Sequence, residues 1–401
     1  MPNIKYQMPN KYQMSSIKHQ ASNIKHQTSN IKHQTSNIKH QTSNIKHQTS
    51  NIKHQANIKE LSHEQLLLWL GERGIAPYRA TQILKWVYLR QADRFDVMTD
   101  LGKDIRELLS SHFTIRRLEK VLVETSRDGS EKYLFKLADG EHIESVLIPE
   151  KGHHTLCIST QVGCAQRCKF CLTAKSGFIR NLTQGEIISQ ALDIRNDIAV
   201  PHSLSNIVFM GMGEPLANYR NVMNAVRIIT NGEYGLNFSN RKVTISTAGI
   251  IPKLSDLGQD IQVGLAISLN AADNKTRSML MPINRKYPLE KLIEACRRYP
   301  LPPRQRITYE YILIKGVNDS PEDAKCLARL LRRARAKINL IPFNEYEGSD
   351  FMRPDESVIQ KFRELLVKSN YTVIIRHSKG QDISAACGQL SHKSHQKGVL
   401  K

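Results

Sequence analysis

The sequence is poor in several features that mark whole classes of protein. Its 401 residues contain no apolar stretch of the roughly 18 residues that a membrane helix needs, so we expect no membrane span. Glycine and proline, with 21 and 15 residues, are too few for a collagen-like chain, and 40% hydrophobic residues exclude a wholly disordered one. The polar N-terminus is unlike a secretory signal. We therefore expect a cytoplasmic protein whose seven cysteines do not form a disulfide framework.

Acidic residues are also scarce. There are 37 Asp and Glu residues against 58 Lys and Arg residues, which leaves a net charge of +21. Residues 1–56 contain eight lysines and no acid, so the rest of the chain still carries +13. This excess favours a polyanionic partner such as nucleic acid, and it says nothing about the fold.

Most of the first 57 residues are a heptapeptide repeat. Near-identical units of Asn-Ile-Lys-His-Gln-Thr-Ser place isoleucine at every seventh position, from Ile17 to Ile52. A coiled coil needs two apolar positions in each heptad, and this repeat has one. Its Thr, Ser, Asn and His residues are also mediocre helix formers. We predict a disordered tail over residues 1–57 that has no part in catalysis.

Two small units are predicted before the main fold. A capping box formed by Ser62 and Gln65 precedes an apolar run, and helical patterns follow, so residues 58–112 are predicted to be a helical unit of RNA-binding type. Residues 113–150 change to a period of two, with Asp-Gly pairs that are typical of hairpin turns. They are predicted to form a small β section.

Residues 151–395 are predicted to form an α/β domain. Apolar runs with strand character recur along it, at 155–160, 206–211, 242–247, 263–269, 307–314, 337–342 and 371–376. Helical patterns lie between these runs, and repeated β/α units indicate a parallel sheet. The pattern fits an incomplete barrel of six units or an open doubly wound sheet. Either fold would place its active site at the carboxyl ends of the strands.

Three of the cysteines stand close together directly after the first strand of this series. They are Cys164, Cys168 and Cys171, in the spacing Cys-x3-Cys-x2-Cys. Three neighbouring thiolates can hold a metal ion or a cluster. A structural zinc site needs a fourth ligand, and His153 and His154 lie before the strand, at its other end. An iron–sulfur cluster with three cysteine ligands would leave one iron open.

A glycine-rich turn with an acid follows the next predicted strand. It reads Gly211-Met-Gly213-Glu214-Pro215. Glycine at such a turn lets the backbone approach a ligand closely. Turns of this kind are common at strand ends, so the motif is informative only together with the cysteine set.

Together the two motifs resemble the radical S-adenosylmethionine (SAM) superfamily. An aromatic residue, Phe170, precedes the last cysteine, as is typical of that superfamily. The resemblance implies one [4Fe-4S] cluster on Cys164, Cys168 and Cys171, with the fourth iron open to SAM. It also implies an incomplete (β/α)6 radical SAM barrel, here with an N-terminal helical unit and a small β extension.

Six segments between residues 156 and 390 carry a closer resemblance, which extends over about residues 58–395 and includes the helical unit. They are Leu156-Cys-Ile-Ser-Thr-Gln-Val-Gly-Cys164, Gly211-Met-Gly-Glu-Pro-Leu216, Val243-Thr-Ile-Ser-Thr-Ala-Gly249, Leu265-Ala-Ile-Ser-Leu-Asn270, Asn339-Leu-Ile-Pro-Phe-Asn344 and the segment from Arg376 to Leu390. These segments resemble the RlmN family of methyltransferases. The resemblance implies methylation of adenosine at carbon 2, in the peptidyl transferase centre of 23S rRNA and next to the anticodon in tRNA. It implies two SAM molecules in each turnover.

The resemblance also implies roles for individual residues. Cys387 is expected to carry an S-methyl intermediate, and Cys157 to resolve the RNA adduct through a transient disulfide with Cys387. Glu144 is the expected proton acceptor, with Cys157 as the competing base. The expected SAM contacts are Gly213, Glu214, Ser246, Ser268, Leu269, Asn270 and Asn344. The family pattern has His at position 270, and the Asn of this chain retains hydrogen-bonding capacity.

The implied partners are 23S rRNA, tRNA and an electron donor such as flavodoxin or ferredoxin, and we expect a monomer. Arginine clusters suit RNA phosphates, although each is more often a solvated surface. They lie at 116–117, 297–298, 304–306 and 332–335.

Two alternatives stay open. A sister family of radical SAM enzymes methylates carbon 8 of the same rRNA nucleotide, and a non-catalytic RNA-binding protein would carry a similar charge. The helical unit and the segment around Cys157 favour carbon 2. A protein that only binds RNA would not need Cys157 and Cys387 beside the three-cysteine set.

Overall fold

The first helix begins at a capping box, as predicted. A computed structural model describes residues 55–200, 203–376 and 378–391, so the predicted repeat tail lies almost wholly outside the described residues. Ser62 accepts a hydrogen bond from the amide of Gln65 at 3.2 Å, and the Gln65 side chain accepts one from the amide of Ser62 at 2.8 Å. This reciprocal pair satisfies two amides that would otherwise lack partners at the helix start.

The helical unit consists of three α-helices, and an irregular turn directly follows the second of them. Residues 85–89 form a π-helical turn, so the helical pattern that follows the capping box is not α-helical throughout. The helices are α1 (His63–Gly71), α2 (Tyr78–Leu84) and α3 (Lys103–His112). Two-residue strands flank the unit, β1 (Ala56–Asn57) and β2 (Phe113–Thr114).

The remaining elements begin with a run of strands, and from β8 onwards strands alternate with helices, as the sequence periodicity predicts. The strands are β3 (Glu119–Thr125), β4 (Glu131–Lys136), β5 (His142–Glu150), β6 (His153–Cys157), β7 (Gln161–Gly163), β8 (Phe178–Asn181), β9 (Leu204–Phe209), β10 (Val243–Thr247), β11 (Gly264–Ser268), β12 (Ile307–Leu313), β13 (Ala336–Pro342) and β14 (Thr372–Ile375). The helices are α4 (Leu172–Lys175), α5 (Gln184–Asp197), α6 (Tyr219–Thr230), α7 (Ile251–Asp260), α8 (Asn274–Leu280), α9 (Leu289–Arg298), α10 (Pro321–Leu330) and α11 (Glu356–Lys368). Among all the residues that the structure describes, no helix is both long and apolar enough to cross a membrane.

One ten-stranded sheet carries the fold. Its order is β14-β13-β12-β11-β10-β9-β6-β5-β4-β3, and the strands from β6 to β14 in this list are parallel. Each parallel strand lies beside the next one along the chain. A doubly wound sheet reverses its strand order at a switch point, whereas a barrel winds in one direction. The strand order therefore favours the incomplete barrel, with β3 and β14 as the two edges among the described strands.

The antiparallel strands extend the barrel sheet directly. Strands β3, β4 and β5 form a meander, and β5 pairs with β6 in antiparallel register, with Val146 opposite Cys157. The small β section predicted over residues 113–150 thus shares hydrogen bonds with the first barrel strand. This pairing places Glu144 of β5 near the end of β6, where the predicted active site begins.

The segment after β14 returns to the antiparallel strands. The carboxylate of Asp128, between β3 and β4, accepts the amide of Gly380 at 2.8 Å. The carboxylate of Asp382 accepts the Ser126 hydroxyl at 2.6 Å and the Arg127 amide at 3.1 Å. These bonds connect the chain beyond one edge of the sheet to strands at the other edge. We call residues 378–391 the C-terminal clasp, and this clasp carries Cys387.

Replacement of Asp382 by alanine should loosen the clasp without unfolding the sheet. The change removes the acceptor for Ser126 and Arg127, while the strands keep their own hydrogen bonds. Amides in residues 380–391 should exchange severalfold faster in hydrogen-exchange mass spectrometry, with β12 and β13 unchanged. Asp93→Ala, which removes an exposed aspartate of the helical unit, is the matched control. Equal exchange in the two variants would show that other contacts hold the clasp.

Candidate active site

A cavity of about 490 Å³ opens at the carboxyl ends of the parallel strands. Residues at or just beyond the ends of successive strands line it, among them Cys157 at the end of β6, Ser246 on β10, Ser268 on β11 and Arg376 after β14. In β/α barrels this end of the sheet carries the active site because the loops there vary freely. The predicted position of the site at the carboxyl ends fits this cavity.

Most of the predicted site residues line this cavity together. They are Cys157, Cys164, Cys168, Cys171, Gly213, Glu214, Ser246, Ser268, Asn270 and Cys387. Three others lie outside the lining. Leu269 is fully buried, Asn344 donates from its side-chain amide to the carbonyl of Cys387 at 3.1 Å, and Glu144 lies behind the clasp.

The three-cysteine loop lies between β7 and α4, and backbone hydrogen bonds hold it in place. The amide of Cys164 bonds the carbonyl of Gly177 at 2.9 Å, and the amide of Leu172 bonds the carbonyl of Gly388 in the clasp at 2.7 Å. Burial raises the pKa of Cys164 to about 12 and raises those of Cys168 and Cys171 as well. As free thiols these groups would stay protonated, and a bound metal would have to displace their protons.

The turn after β9 requires glycine at position 213. Gly213 has φ of +100°, and a Cβ atom there would lie 2.5 Å from the Cβ of Gln161. The Gln161 side chain in turn accepts the amide of Glu214 at 2.8 Å. The Glu214 carboxylate accepts the Thr247 hydroxyl at 2.6 Å and the Ala248 amide at 2.7 Å, while burial raises its pKa. The turn is therefore tied to β7 and to the end of β10.

Glu310 is a cavity residue that the sequence analysis missed. It lies on β12, and its carboxylate accepts the Ser246 hydroxyl at 2.6 Å and the Ser268 hydroxyl at 3.3 Å. It thus orients two side chains predicted to contact SAM. The signal in the sequence was a single acid inside the apolar run 307–314, which is unusual because a charge in a buried strand needs partners.

Asn270 lies in a left-handed backbone conformation, with φ of +58°. Asparagine and histidine are both enriched in this conformation. Position 270 can therefore hold Asn where the family pattern has His without changing the backbone. The Asn270 side chain is engaged in the protein, since its oxygen accepts the amide of Ile312 at 2.9 Å.

A second residue that the sequence analysis missed is Arg277, which is fully buried on α8. Its guanidinium donates to the carbonyls of Leu269 at 3.0 Å and Ala248 at 2.8 Å, and burial lowers its pKa to about 10. It therefore joins the ends of β10 and β11 around the cavity. An arginine in a helical pattern is usually solvent-facing, so the sequence held no clear sign of this role.

Cys157, Cys387 and Arg376 form a cluster on one wall of the cavity. Cys157 is buried at the end of β6, and burial raises its pKa far above the usual range, with a further increase from nearby Cys387. Cys387 is accessible from the cavity but enclosed by protein, and this enclosure raises its pKa. The Arg376 guanidinium lowers the pKa of both thiols. Arg376 stands in the Arg376–Leu390 segment, but no role for it was predicted.

Glu144 is buried behind the clasp. Its carboxylate accepts the amide of Ser391 at 2.7 Å and lies 3.4 Å from the ammonium of Lys132. Lys132 also donates to the carbonyl of Ile383 at 2.7 Å. Glu144 therefore interacts with the segment that carries Cys387, but it does not face the cavity directly.

The arginine clusters named from the sequence lie mostly away from the cavity. Residues 297–298, 304–306 and 332–335 stand at the end of α9 or just before β12 and β13, at the amino ends of the strands. There Arg297 donates to the carbonyl of Arg332 at 3.0 Å, and Arg335 donates to that of Pro302 at 2.8 Å. These cations therefore stand at the end of the sheet opposite the cavity.

Comparison with known proteins assigns the chain to a family. Residues 158–326 match the radical SAM superfamily, and residues 56–115 match the ribosomal RNA large subunit methyltransferase N-terminal domain. A dual-specificity RNA methyltransferase RlmN of Desulfosudis oleivorans is 56% identical over 334 residues, which are 83% of this chain and 90% of that protein. The RlmN of Geobacter sulfurreducens is 52% identical, over 84% of this chain and 92% of that protein. This chain belongs to the RlmN family.

A solved structure agrees with this assignment. A radical SAM methyltransferase from Sphaerobacter thermophilus superposes with a TM-score of 0.77 and 42% sequence identity, over 84% of this chain and 99% of that one. The predicted radical SAM α/β fold is thereby confirmed. The chain is an enzyme, a radical SAM methyltransferase of RNA, and the cofactors of its superfamily are a [4Fe-4S] cluster and SAM.

The residues of the RlmN-type cavity fit these cofactors. Cys164, Cys168 and Cys171 are reduced thiols that line one buried space, and soft thiolates are the ligands that iron–sulfur clusters use. Among the residues that the structure describes, no group of three or more His, Cys, Asp or Glu side chains is placed to hold a single metal ion. In a cluster each thiolate bonds a different iron, so the three thiols need not meet at one point.

Gly213→Ala should damage the site more than the same change at another left-handed glycine. The new methyl group would displace Gln161 and with it the support for Glu214, so SAM affinity should fall on the order of tenfold, with strain of roughly 1–2 kcal/mol. Isothermal titration with SAM and thermal unfolding measure the two effects. Gly74→Ala is the control because Gly74 has φ of +68° and open space around it. Both variants share the backbone strain of a positive φ, so an equal loss of SAM affinity in the two would contradict the predicted contact.

Proposed function

We propose that this enzyme methylates carbon 2 of adenosine, in 23S rRNA at the peptidyl transferase centre and in tRNA next to the anticodon. The observation that carries the proposal is one cavity that holds Cys157 and Cys387 beside the three-cysteine loop. The names of the relatives, dual-specificity RNA methyltransferases, support both kinds of RNA substrate. The match of residues 56–115 to a ribosomal RNA methyltransferase domain supports the rRNA substrate in particular. The expected cytoplasmic location rests on these substrates.

Two thiols are needed because carbon 2 of adenine is electron-poor and cannot attack the methyl group of SAM. Cys387, as thiolate, takes that methyl group by displacement, which forms a carbon–sulfur bond and releases S-adenosylhomocysteine. Cys164, Cys168 and Cys171 would hold the cluster, which would supply the one-electron chemistry that turns a second SAM into a hydrogen-atom acceptor. Cys387 holds its S-methyl group in the cavity, where that group gives up one hydrogen atom. The methylene carbon on Cys387 then bonds carbon 2 of the adenine, and the adduct loses the proton of carbon 2 and one electron, which the oxidised cluster would take back.

Cys157 resolves the resulting adduct. Its thiolate attacks the sulfur of Cys387, and the electron pair of the carbon–sulfur bond passes to the methylene carbon, which takes a proton to become the methyl group. The methylated RNA leaves, and a disulfide between Cys157 and Cys387 remains. An external dithiol must then reduce this disulfide before the next turnover. Cys157 and Cys387 lie on the same cavity wall, which supports the exchange.

Glu144 accepts the proton that carbon 2 loses. Because the Ser391 amide and Lys132 both engage its carboxylate behind the clasp, this role requires the clasp to shift when RNA binds. Such a shift would break the bonds that Asp128, Asp382 and Lys132 make between the clasp and the antiparallel strands. Cys157, which does line the cavity, is the competing base.

The target adenosine must leave its stack to enter a cavity at the strand ends, so base flipping or a single-stranded loop is required. The helical unit over 58–112 is proposed to bind the RNA beside the cavity. Its exposed surface offers aromatic–cation pairs, with Arg73 4.0 Å above the Trp69 ring and Arg90 4.1 Å above the Trp86 ring. Such pairs are suited to stacking on unpaired bases.

The position of the methyl group tests the function. Ribosomal RNA fragments and tRNA should be incubated with the reconstituted enzyme, a reductant and SAM that carries a deuterated methyl group. Mass spectrometry of the digested RNA should place the label at carbon 2 of adenosine, and Cys387→Ala should abolish it. Label at carbon 8 would favour the sister family, and unlabelled RNA from an iron-loaded enzyme would overturn the proposal.

Cys157→Ala should trap a covalent complex between Cys387 and RNA. Without the resolving thiol the carbon–sulfur bond cannot break, so a protein–RNA adduct should accumulate to nearly one per active site. Denaturing electrophoresis and peptide mass spectrometry measure it. Cys157→Ala combined with Cys387→Ala is the control and should form no adduct. An adduct-free Cys157→Ala enzyme with full iron content would exclude the resolving role.

Arg376→Met should slow the reaction of Cys387 with electrophiles below about pH 9. Loss of the guanidinium removes the charge that lowers the pKa of Cys387, so the pKa rises further and less thiolate is present. Alkylation of the Cys387 peptide by iodoacetamide, followed by mass spectrometry from about pH 7 to pH 10, should show a profile moved to higher pH. Arg376→Lys keeps the charge and should restore most of the rate. Identical profiles for Met and Lys would contradict an electrostatic role.

A further inference from the structure

A second depression lies on the other side of the three-cysteine loop. It has a volume of about 440 Å³, and Cys168 lines both this depression and the active-site cavity. Among the three predicted cluster ligands, Cys168 alone belongs to both linings in the part of the chain that the structure describes. The loop is therefore the partition between the catalytic cavity and this outer surface.

The depression is basic. Arg167, Lys169 and Lys175 line it with exposed side chains, and Asp350 is the one carboxylate in its lining among the described residues. Over the described ranges none of the three cations forms an ion pair, although Lys175 donates to the carbonyl of Gly348 at 2.8 Å. The ammonium of Lys175 also lies 4.9 Å from the centroid of the Tyr346 ring. Neither contact neutralises its charge, and cations without an ion-pair partner steer an acidic surface towards them.

The depression also has apolar lining residues. They are Ala174, Phe351 and Met279, which has 37% of its surface exposed. Phe351 packs on the same hydrophobic cluster as Cys168 and Cys171. Exposed apolar residues together with charged ones are typical of a surface for transient protein association.

We propose that this depression is the docking surface for the acidic electron-donor protein that the reaction requires. The inference rests on the proposed function, because the cluster must be reduced by one electron before it can cleave SAM. One electron leaves the reduced flavin of the donor and arrives at the cluster beside Cys168, and no covalent bond forms. We call residues 167, 169, 175, 279 and 351 the donor face.

The position of the depression favours a protein donor over RNA. The flipped base must reach Cys387, which lines the active-site cavity and not the donor face. An electron donor needs only to approach a cluster ligand, and it can do so at Cys168 while RNA covers the cavity. Separate surfaces would let both partners bind in the same turnover.

Charge reversal on the donor face tests the proposal with the reconstituted holoenzyme and an acidic flavodoxin as the probe. Lys169→Glu combined with Lys175→Glu should weaken flavodoxin binding on the order of tenfold at low salt, with a smaller difference at high salt. Isothermal titration measures this affinity without any turnover. Arg332→Glu combined with Arg333→Glu, two exposed arginines at the amino ends of the strands, is the matched control and should bind flavodoxin normally.

A chemical reductant separates docking from catalysis. Cluster reduction and RNA methylation driven by dithionite should be unchanged in the donor-face variant, while both should slow with limiting flavodoxin. Because Lys169 adjoins Cys168, iron content is measured first, and Lys175→Glu alone on α4 serves if the double variant loses iron.

Three results would overturn the proposal. These are unchanged flavodoxin affinity in an iron-loaded variant, the same loss in the arginine control, and a loss of RNA affinity with flavodoxin affinity retained, which would assign the face to RNA. Failure of the unchanged enzyme to methylate RNA with dithionite would instead count against the proposed function.

Discussion

The parallel register of the sheet is the constraint on which the active site depends. Backbone hydrogen bonds align β6 and the strands from β9 to β14 in parallel, so the carboxyl ends of all these strands lie at the same end of the sheet. Cys157, Ser246, Glu310 and Arg376 are far apart in the sequence, and this alignment alone brings them to one cavity. The helices between the strands return the chain to the start of the next strand. A slip of one residue in any strand would turn its cavity-facing side chain away.

Burial gives this cavity its chemical character. Enclosed thiols keep their protons, so each cysteine that reacts or binds iron needs a local charge or a metal to release one. Arg376 supplies that charge for Cys157 and Cys387. Other cationic groups lie outside the cavity. Three arginine clusters stand at the amino ends of the strands, and the donor face lies on the outer side of the three-cysteine loop. The basic net charge of the chain is thus divided among separate surfaces.

Much of the fold could be predicted because its signals are local. The apolar runs that became β10 to β13 are short and bounded by polar residues, and the capping box of α1 is complete within four residues. The irregular π-helical turn after α2 was missed because helical periodicity does not distinguish it. The clasp was also missed. Its anchors, Asp382 to Ser126 and Arg127, join parts of the chain that no sequence pattern connects.

The sequence by itself determined the chemistry of this protein, because the cysteine spacing, the Gly-Glu turn and the segment around Cys387 are short patterns whose residue types limit what they can bind. Tertiary structure decided how those residues work together. Glu310 joins Ser246 and Ser268, Arg277 joins two strand ends, and Cys168 lies between two depressions. The physical reason is that burial and partnership arise from contacts between distant segments. The sequence around a charged residue does not show which distant residue will become its partner in the folded protein.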